Sequence, residues 1–145
     1  MSRILVADGD RDSCGFIYRI LLKRRIGEFV EVANDGFCAY GRLRSDDCDL
    51  AILDRGLPGL PGLDLVRKLR AEKVKTKVIL LCDRADPELA KEVVLSGAQD
   101  LLQKPILLDS LVYSLRRCLQ REKLNKYEWA PMADLSMARL SYFYR

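Results

Sequence analysis

The chain has 145 residues, 49 % of them apolar and 32 % charged, with a net charge of +4. That is one domain's length of chain with enough apolar material for a core, and its mild, interspersed charge argues against a nucleic-acid surface. It contains no histidine, which excludes Ser-His-Asp and Cys-His catalysis, histidine metal sites and a phosphohistidine carrier.

The first residues, MSRILVADGD, lack a signal-peptide apolar core, and no run approaches transmembrane length, so no membrane is expected. Ile4-Leu5-Val6-Ala7 is a first short strand ending in Asp8-Gly9-Asp10. Asp12 or Ser13 can cap a helix whose stripe is Cys14, Ile17, Tyr18, Leu21 and Leu22, with Lys23-Arg24-Arg25 in the last turn and Gly27 closing it. Phe29 to Val32 is a second strand, Asn34-Asp35-Gly36 a turn, and a short helix runs through Ala39, Tyr40 and Leu43. Leu50-Ala51-Ile52-Leu53 then runs straight into Asp54 and a loop of Gly56, Pro58, Gly59, Pro61 and Gly62. A continuous apolar run this short suits a strand covered on both faces.

Leu63 to Ala71 reads as a helix with Leu65, Val66 and Leu69 inward. Val78 to Leu81 is a fourth strand, ending in Cys82-Asp83. Pro87 opens a fourth helix, with Leu89, Ala90, Val93 and Val94 inside and Gly97 at its end. Leu101-Leu102-Gln103 is a fifth strand stopped by Lys104-Pro105. A last helix, Leu108 to Leu119, buries Leu111, Val112, Leu115 and Leu119. Five alternations of this spacing imply an α/β, doubly wound, five-stranded parallel sheet over residues 1–121 with helices on both faces.

Parallel strands bring Asp8, Asp54, Cys82 and Lys104 to one sheet edge, where ligands collect in such folds. Two carboxylates with loop carbonyls suit a hard cation such as Mg²⁺, and an ammonium beside them suits a phosphoryl oxygen. Together they describe a carboxylate that accepts a phosphoryl group. The bland reading of Asp54 is an Asp that merely opens a turn.

The chain resembles the receiver domain of bacterial response regulators, the phosphoacceptor half of two-component systems. The likeness rests on Ala7-Asp8-Gly9-Asp10, on Leu53-Asp54 followed by Leu57-Pro58-Gly59 and Gly62, and on Ser96-Gly97-Ala98 before Leu101-Leu102-Gln103-Lys104-Pro105. It implies a flavodoxin-like strand order 2-1-3-4-5, Asp54 as phosphoacceptor and Lys104 as the phosphate-contacting lysine. It also implies a cis Lys104-Pro105 bond and Mg²⁺ held by Asp8, Asp54 and the Gly56 carbonyl. A histidine kinase or phosphotransfer protein would be the donor, and a protein partner would read the face of the fourth helix, fifth strand and fifth helix.

The chain departs from the family's pattern in several places. The second acid after the first strand, usually a direct metal ligand, is Gly9, which weakens Mg²⁺ binding; Asp10, one step further, is the candidate substitute. Cys82 replaces the switch Thr or Ser, and Leu101 replaces the aromatic switch residue. Pro61 stands where a polar residue is common. These losses support a second reading, a phosphorylation-independent pseudo-receiver acting as an interaction module. Cys82 itself is a small filler, or a redox thiol if Lys104 favours its thiolate. The D-x-D form of Asp8-Gly9-Asp10 supports a third and weaker reading, a haloacid-dehalogenase-like phosphatase with Asp8 as nucleophile; the receiver reading makes the chain no enzyme.

The five cysteines (Cys14, Cys38, Cys48, Cys82, Cys118) are odd in number with no CxxC pair, which argues for a reducing, cytoplasmic setting. Residues 122–145 are a C-terminal extension. They read as a continuation of the fifth helix to the Trp129-Ala130-Pro131 break, then a short amphipathic helix capped by Asp134. This extension either packs back on its own domain or docks on a partner or a second copy, making a homodimer. It is too short for a DNA-binding output domain, so no direct DNA contact is expected.

Overall fold

The computed structural model describes residues 2–119. Strands and helices alternate as β1 (Arg3–Ala7), α1 (Arg11–Lys23), β2 (Phe29–Ala33), α2 (Gly36–Leu43), β3 (Leu50–Asp54), α3 (Gly62–Ala71), β4 (Lys77–Cys82), α4 (Pro87–Ser96), β5 (Asp100–Gln103) and α5 (Leu108–Leu119). The strands form one parallel sheet in the order β2-β1-β3-β4-β5. This is the expected doubly wound, flavodoxin-like arrangement.

Successive side chains of a strand point to opposite faces, and here both faces are apolar because both are covered. On one face Leu5, Ala7, Ala51, Leu53, Val78, Leu80 and Leu101 meet α2, α3 and α4. On the other, Ile4, Val6, Leu50, Ile52, Ile79, Leu81 and Leu102 meet Cys14, Ile17 and Leu21 of α1 and Leu111, Leu115 and Cys118 of α5. β3 lies in the middle of the sheet, and its Leu50, Ile52 and Leu53 have no exposed surface. Each such side chain contributes roughly 1.5–3 kcal/mol of transfer free energy.

Three helix details differ from the sequence expectation. Asp10, rather than Asp12 or Ser13, caps α1: its backbone is extended and its carboxylate accepts the Asp12 N–H. Leu22 and Val94, placed on inner stripes, are 53 % and 55 % exposed. Each follows a fully committed neighbour, Leu21 or Val93, and one residue turns a helix about 100°. In α5, Val112 and Leu119 are only partly buried, while Ser114 and Cys118 are inside. Ser114 is drawn in because its hydroxyl donates to Asp100 of β5. The expectations for residues 122–145 lie outside the described residues.

Candidate functional site

The parallel register carries four strand ends to one edge. Asp8 follows β1, Asp54 ends β3, Cys82 ends β4 and Lys104 follows β5. Two bonds hold the edge together: Lys104 N–H donates to the Cys82 carbonyl at 2.8 Å, and Arg55 N–H to the Leu81 carbonyl at 2.7 Å. The Lys104-Pro105 peptide is cis.

Lys104 Nζ lies 2.9 Å from Asp8 Oδ2 and 3.4 Å from Asp54 Oδ1. Asp8 has no exposed surface, whereas the Asp54 side chain is 14 % exposed and that of Lys104 15 %. Asp54 is therefore the carboxylate an incoming group can reach. Asp8 Oδ1 accepts the Asp10 N–H at 2.9 Å. Its Oδ2 takes no well-aligned hydrogen bond and faces the ammonium. Burial and the Asp8 charge push the Asp54 carboxyl above its ordinary range, in spite of Lys104. Burial works against the charge on Lys104, but the two carboxylates outweigh it and hold that ammonium's pKa up.

Two carboxylates thus share one cation, leaving the site short of positive charge, and one buried oxygen lacks a hydrogen bond. The residues present fit a divalent ion. Gly56 lies beside Asp54, since a Cβ there would stand 3.6 Å from Asp54 Oδ2. Asp8, Asp54 and the Gly56 carbonyl are the available oxygen donors. Among the described residues no three His, Cys, Asp or Glu side chains converge. Mg²⁺ is commonly held this way, by one or two carboxylates with waters and substrate phosphate.

The Asp10 carboxylate is turned into α1, where it accepts the Asp12 N–H at 3.0 Å and the Ser13 hydroxyl at 3.2 Å. The Asp12 N–H first, and then the Ser13 hydroxyl, hold its pKa below the usual carboxylate range. Gly9 is packed under the Pro58 ring, and a Cβ there would stand 2.9 Å from Pro58 Cδ. The position of the family's second acid is thus closed over by the loop after β3. Cys82 is 1 % exposed, and burial pushes its thiol up to about 11. This burial weighs against the thiolate reading. Leu101 is 4 % exposed and packs toward α3 and α4. None of the five cysteines forms a disulfide.

Two polar residues at the edge escaped the sequence reading. Asn34 Nδ2 donates to the Asp8 carbonyl at 3.2 Å. Gln103 Oε1 accepts the Ala85 N–H at 2.8 Å, across the loop after β4. Asn34 had been read only as a turn residue and Gln103 only as the end of a strand; neither carries a motif.

A parallel sheet in this order, with an accessible carboxylate, a buried one and a lysine at its carboxyl edge, defines the receiver class of signalling domains. The family model described as the response regulator receiver domain matches residues 4–116, and the chain belongs to that family. It is 34 % identical over 142 residues to the response regulator MprA of Mycobacterium ulcerans (strain Agy99), a match covering 96 % of this chain and 59 % of that protein. It is 40 % identical over 95 residues to the response regulator protein PmrA of Pseudomonas aeruginosa, covering 66 % of this chain and 43 % of that one. The chain therefore spans about half the length of these relatives. The Francisella response regulator 1452 receiver domain superposes with a TM-score of 0.78 at 30 % identity, over 85 % of this chain and 100 % of that one. The phosphatase reading, which needs Asp8 as nucleophile, falls with this membership and with the complete burial of Asp8. Among the described residues no helix is long and apolar enough to cross a membrane.

Proposed function

We propose that this receiver domain accepts a phosphoryl group on Asp54 from a histidine kinase or phosphotransfer protein in the cytoplasm. A carboxylate oxygen of Asp54 attacks the phosphorus of the donor's phosphohistidine. The phosphorus–nitrogen bond breaks as the phosphorus–oxygen bond forms, and the departing imidazole keeps the electron pair. Lys104, already 3.4 Å from Asp54, pairs with a phosphoryl oxygen. Mg²⁺ on Asp8, Asp54 and the Gly56 carbonyl would neutralise phosphoryl charge. The chain is itself the acceptor in this step and is no enzyme acting on a separate substrate.

Output goes to a protein partner through the face of α4, β5 and α5, or through the segment after residue 121; a second copy of the chain is one such partner. Val94 and Leu95 of α4, Leu107 before α5 and Tyr113 of α5 are exposed there. Beside them Leu101, Lys104, Pro105, Leu107, Ser110 and Tyr113 border an open cleft of about 560 Å³. The observation that carries the phosphoacceptor reading is the accessible Asp54 carboxylate held beside Lys104 while its neighbour Asp8 is sealed.

Intact-mass measurement after incubation with acetyl phosphate and Mg²⁺ tests it. One phosphoryl group is expected on the wild-type chain and none on Asp54→Asn. Phosphate retained in Asp54→Asn, or none in the wild type, defeats the reading. The closure of Gly9 by Pro58 and the commitment of Asp10 to α1 favour the second reading, a phosphorylation-independent interaction module. That reading requires Asp54→Asn to bind the partner as the wild type does.

A further inference from the structure

We infer that Gln103 is a positioning residue that latches the loop between β4 and α4 in its resting place. The inference rests on the phosphoacceptor reading of Asp54. Cys82 and Gln103 are paired in the sheet, so the last residue of β4 and the last of β5 lie side by side. Gln103 is solvent-exposed, yet its side-chain oxygen reaches over to accept the Ala85 N–H at 2.8 Å. Ala85 is 8 % exposed and lies between Cys82 and Asp86, directly before Asp86, the residue that caps α4 through the Leu89 N–H. A glutamine that could point to water instead closes the loop onto the neighbouring strand.

The other end of α4 is tied down more heavily. Gly97, with φ of 93°, ends the helix in the left-handed region that glycine tolerates best. The Arg70 guanidinium donates to the carbonyls of Gly97 at 3.0 Å, Val74 at 2.7 Å and Thr76 at 2.7 Å. α4 therefore has a clamped carboxyl end. Its amino end is reached from β4 through a loop in which the Ala85 amide rests on one neutral side-chain bond. Movement of the loop toward a group on Asp54 would pivot on the Arg70 clamp and open the Gln103 latch.

The latch matters here because the pull on the loop is weak. At the end of β4, in the place of the family's switch Thr or Ser, stands Cys82, a thiol rather than a hydroxyl and a poor donor to a phosphoryl group. Leu101 has no polar tip with which to follow the loop. With so small a driving force, one hydrogen bond is enough to shift the balance between resting and closed loop.

The test compares wild type with Gln103→Met, which keeps the side-chain length without the acceptor, and with Gln103→Glu, which keeps the acceptor. Gln103→Ala serves if the Met variant folds poorly. Amide exchange at Ala85 is followed by NMR, and beryllofluoride is titrated in the presence of Mg²⁺. Ala85 exchange about three- to tenfold faster in Gln103→Met, restored in Gln103→Glu, is expected. Beryllofluoride affinity in Gln103→Met should rise by a similar factor, because the loop no longer leaves a bond behind. Unchanged exchange at Ala85 overturns the latch itself. Faster exchange with unchanged beryllofluoride affinity overturns its coupling to the site. A wild-type chain that does not respond to beryllofluoride at all defeats the phosphoacceptor reading and takes the coupling down with it.

Discussion

Asp8 and Asp54 share the single ammonium of Lys104, and the surplus negative charge falls on the more accessible of the two. Burial first, and then the Asp8 charge, raise the Asp54 pKa above its ordinary 3.8. A carboxyl whose folded pKa is raised lends its stability below its unfolded pKa and loses it as the pH climbs through the folded one. At neutral pH the charged Asp54 therefore weighs against the fold. Asp54→Asn is expected to melt a few degrees higher than wild type at pH 7, on the order of ~1 kcal/mol. Melting curves over a pH series should show the gap narrowing as the pH falls toward 3.8. A constant or reversed gap would mean that burial and the Asp8 charge together do not raise Asp54. Asp8, Asp54 and Lys104 were all legible in the sequence, because Asp8 and Asp54 end apolar runs and Lys104 stops the fifth strand before Pro105. The packing of Pro58 over Gly9 was not legible, since nothing in local sequence says how closely a loop approaches a strand 49 positions away.

Among the elements, β3 carries the most weight, with neighbours on both sides and helices over both faces. Ile52 faces α1 and α5, and Leu53 faces α2, α3 and α4. Ile52→Ala is expected to cost about 2–5 kcal/mol and Ile52→Val about 0.5–1.5 kcal/mol in urea unfolding. Equal losses for the two variants would mean that the site collapses around any vacancy. The sequence revealed that β3 is covered twice but could not assign sides, because a run with no polar member has no period. The helices show the converse limit. Their stripes are broad, so Leu22 and Val94 fit an inner face on paper while the packing left room only for Leu21 and Val93. In α5, the hydroxyl of Ser114 found a carboxylate on β5 and helped set which side faced inward, a contact 14 residues away that periodicity does not register.

For the molecule as a whole, the alternation of elements and the right-handed crossover rule make the sheet parallel and bring its strand ends to one edge, whereas the order 2-1-3-4-5 was legible only through the family resemblance. The same alternation leaves β5 on the rim of the sheet, with exposed apolar residues of α4 and α5 on either side. Leu95 is 79 % exposed, so Leu95→Glu should leave unfolding free energy within about 0.5 kcal/mol of wild type. Phosphorylation by acetyl phosphate should also be unchanged. If output runs through this face, affinity for a protein captured by the immobilised wild-type chain is expected to fall roughly tenfold or more in Leu95→Glu, measured by calorimetry. Unaltered affinity would direct attention away from this face. The rim could be inferred from the fold, whereas the Gln103–Ala85 bond across it could not, because it joins two unremarkable residues 18 positions apart.

The contributors to the site lie at the carboxyl ends of β1, β3, β4 and β5, and Lys104 follows the last of them. During synthesis Asp54, the proposed phosphoacceptor, emerges from the ribosome about fifty residues before Lys104. A nascent or half-translated chain therefore carries Asp54 without a receiving site, and a sheet that has lost β5 is in the same position. Acceptance of a phosphoryl group would then double as a certificate of completed folding, withheld from any product that ends before Lys104.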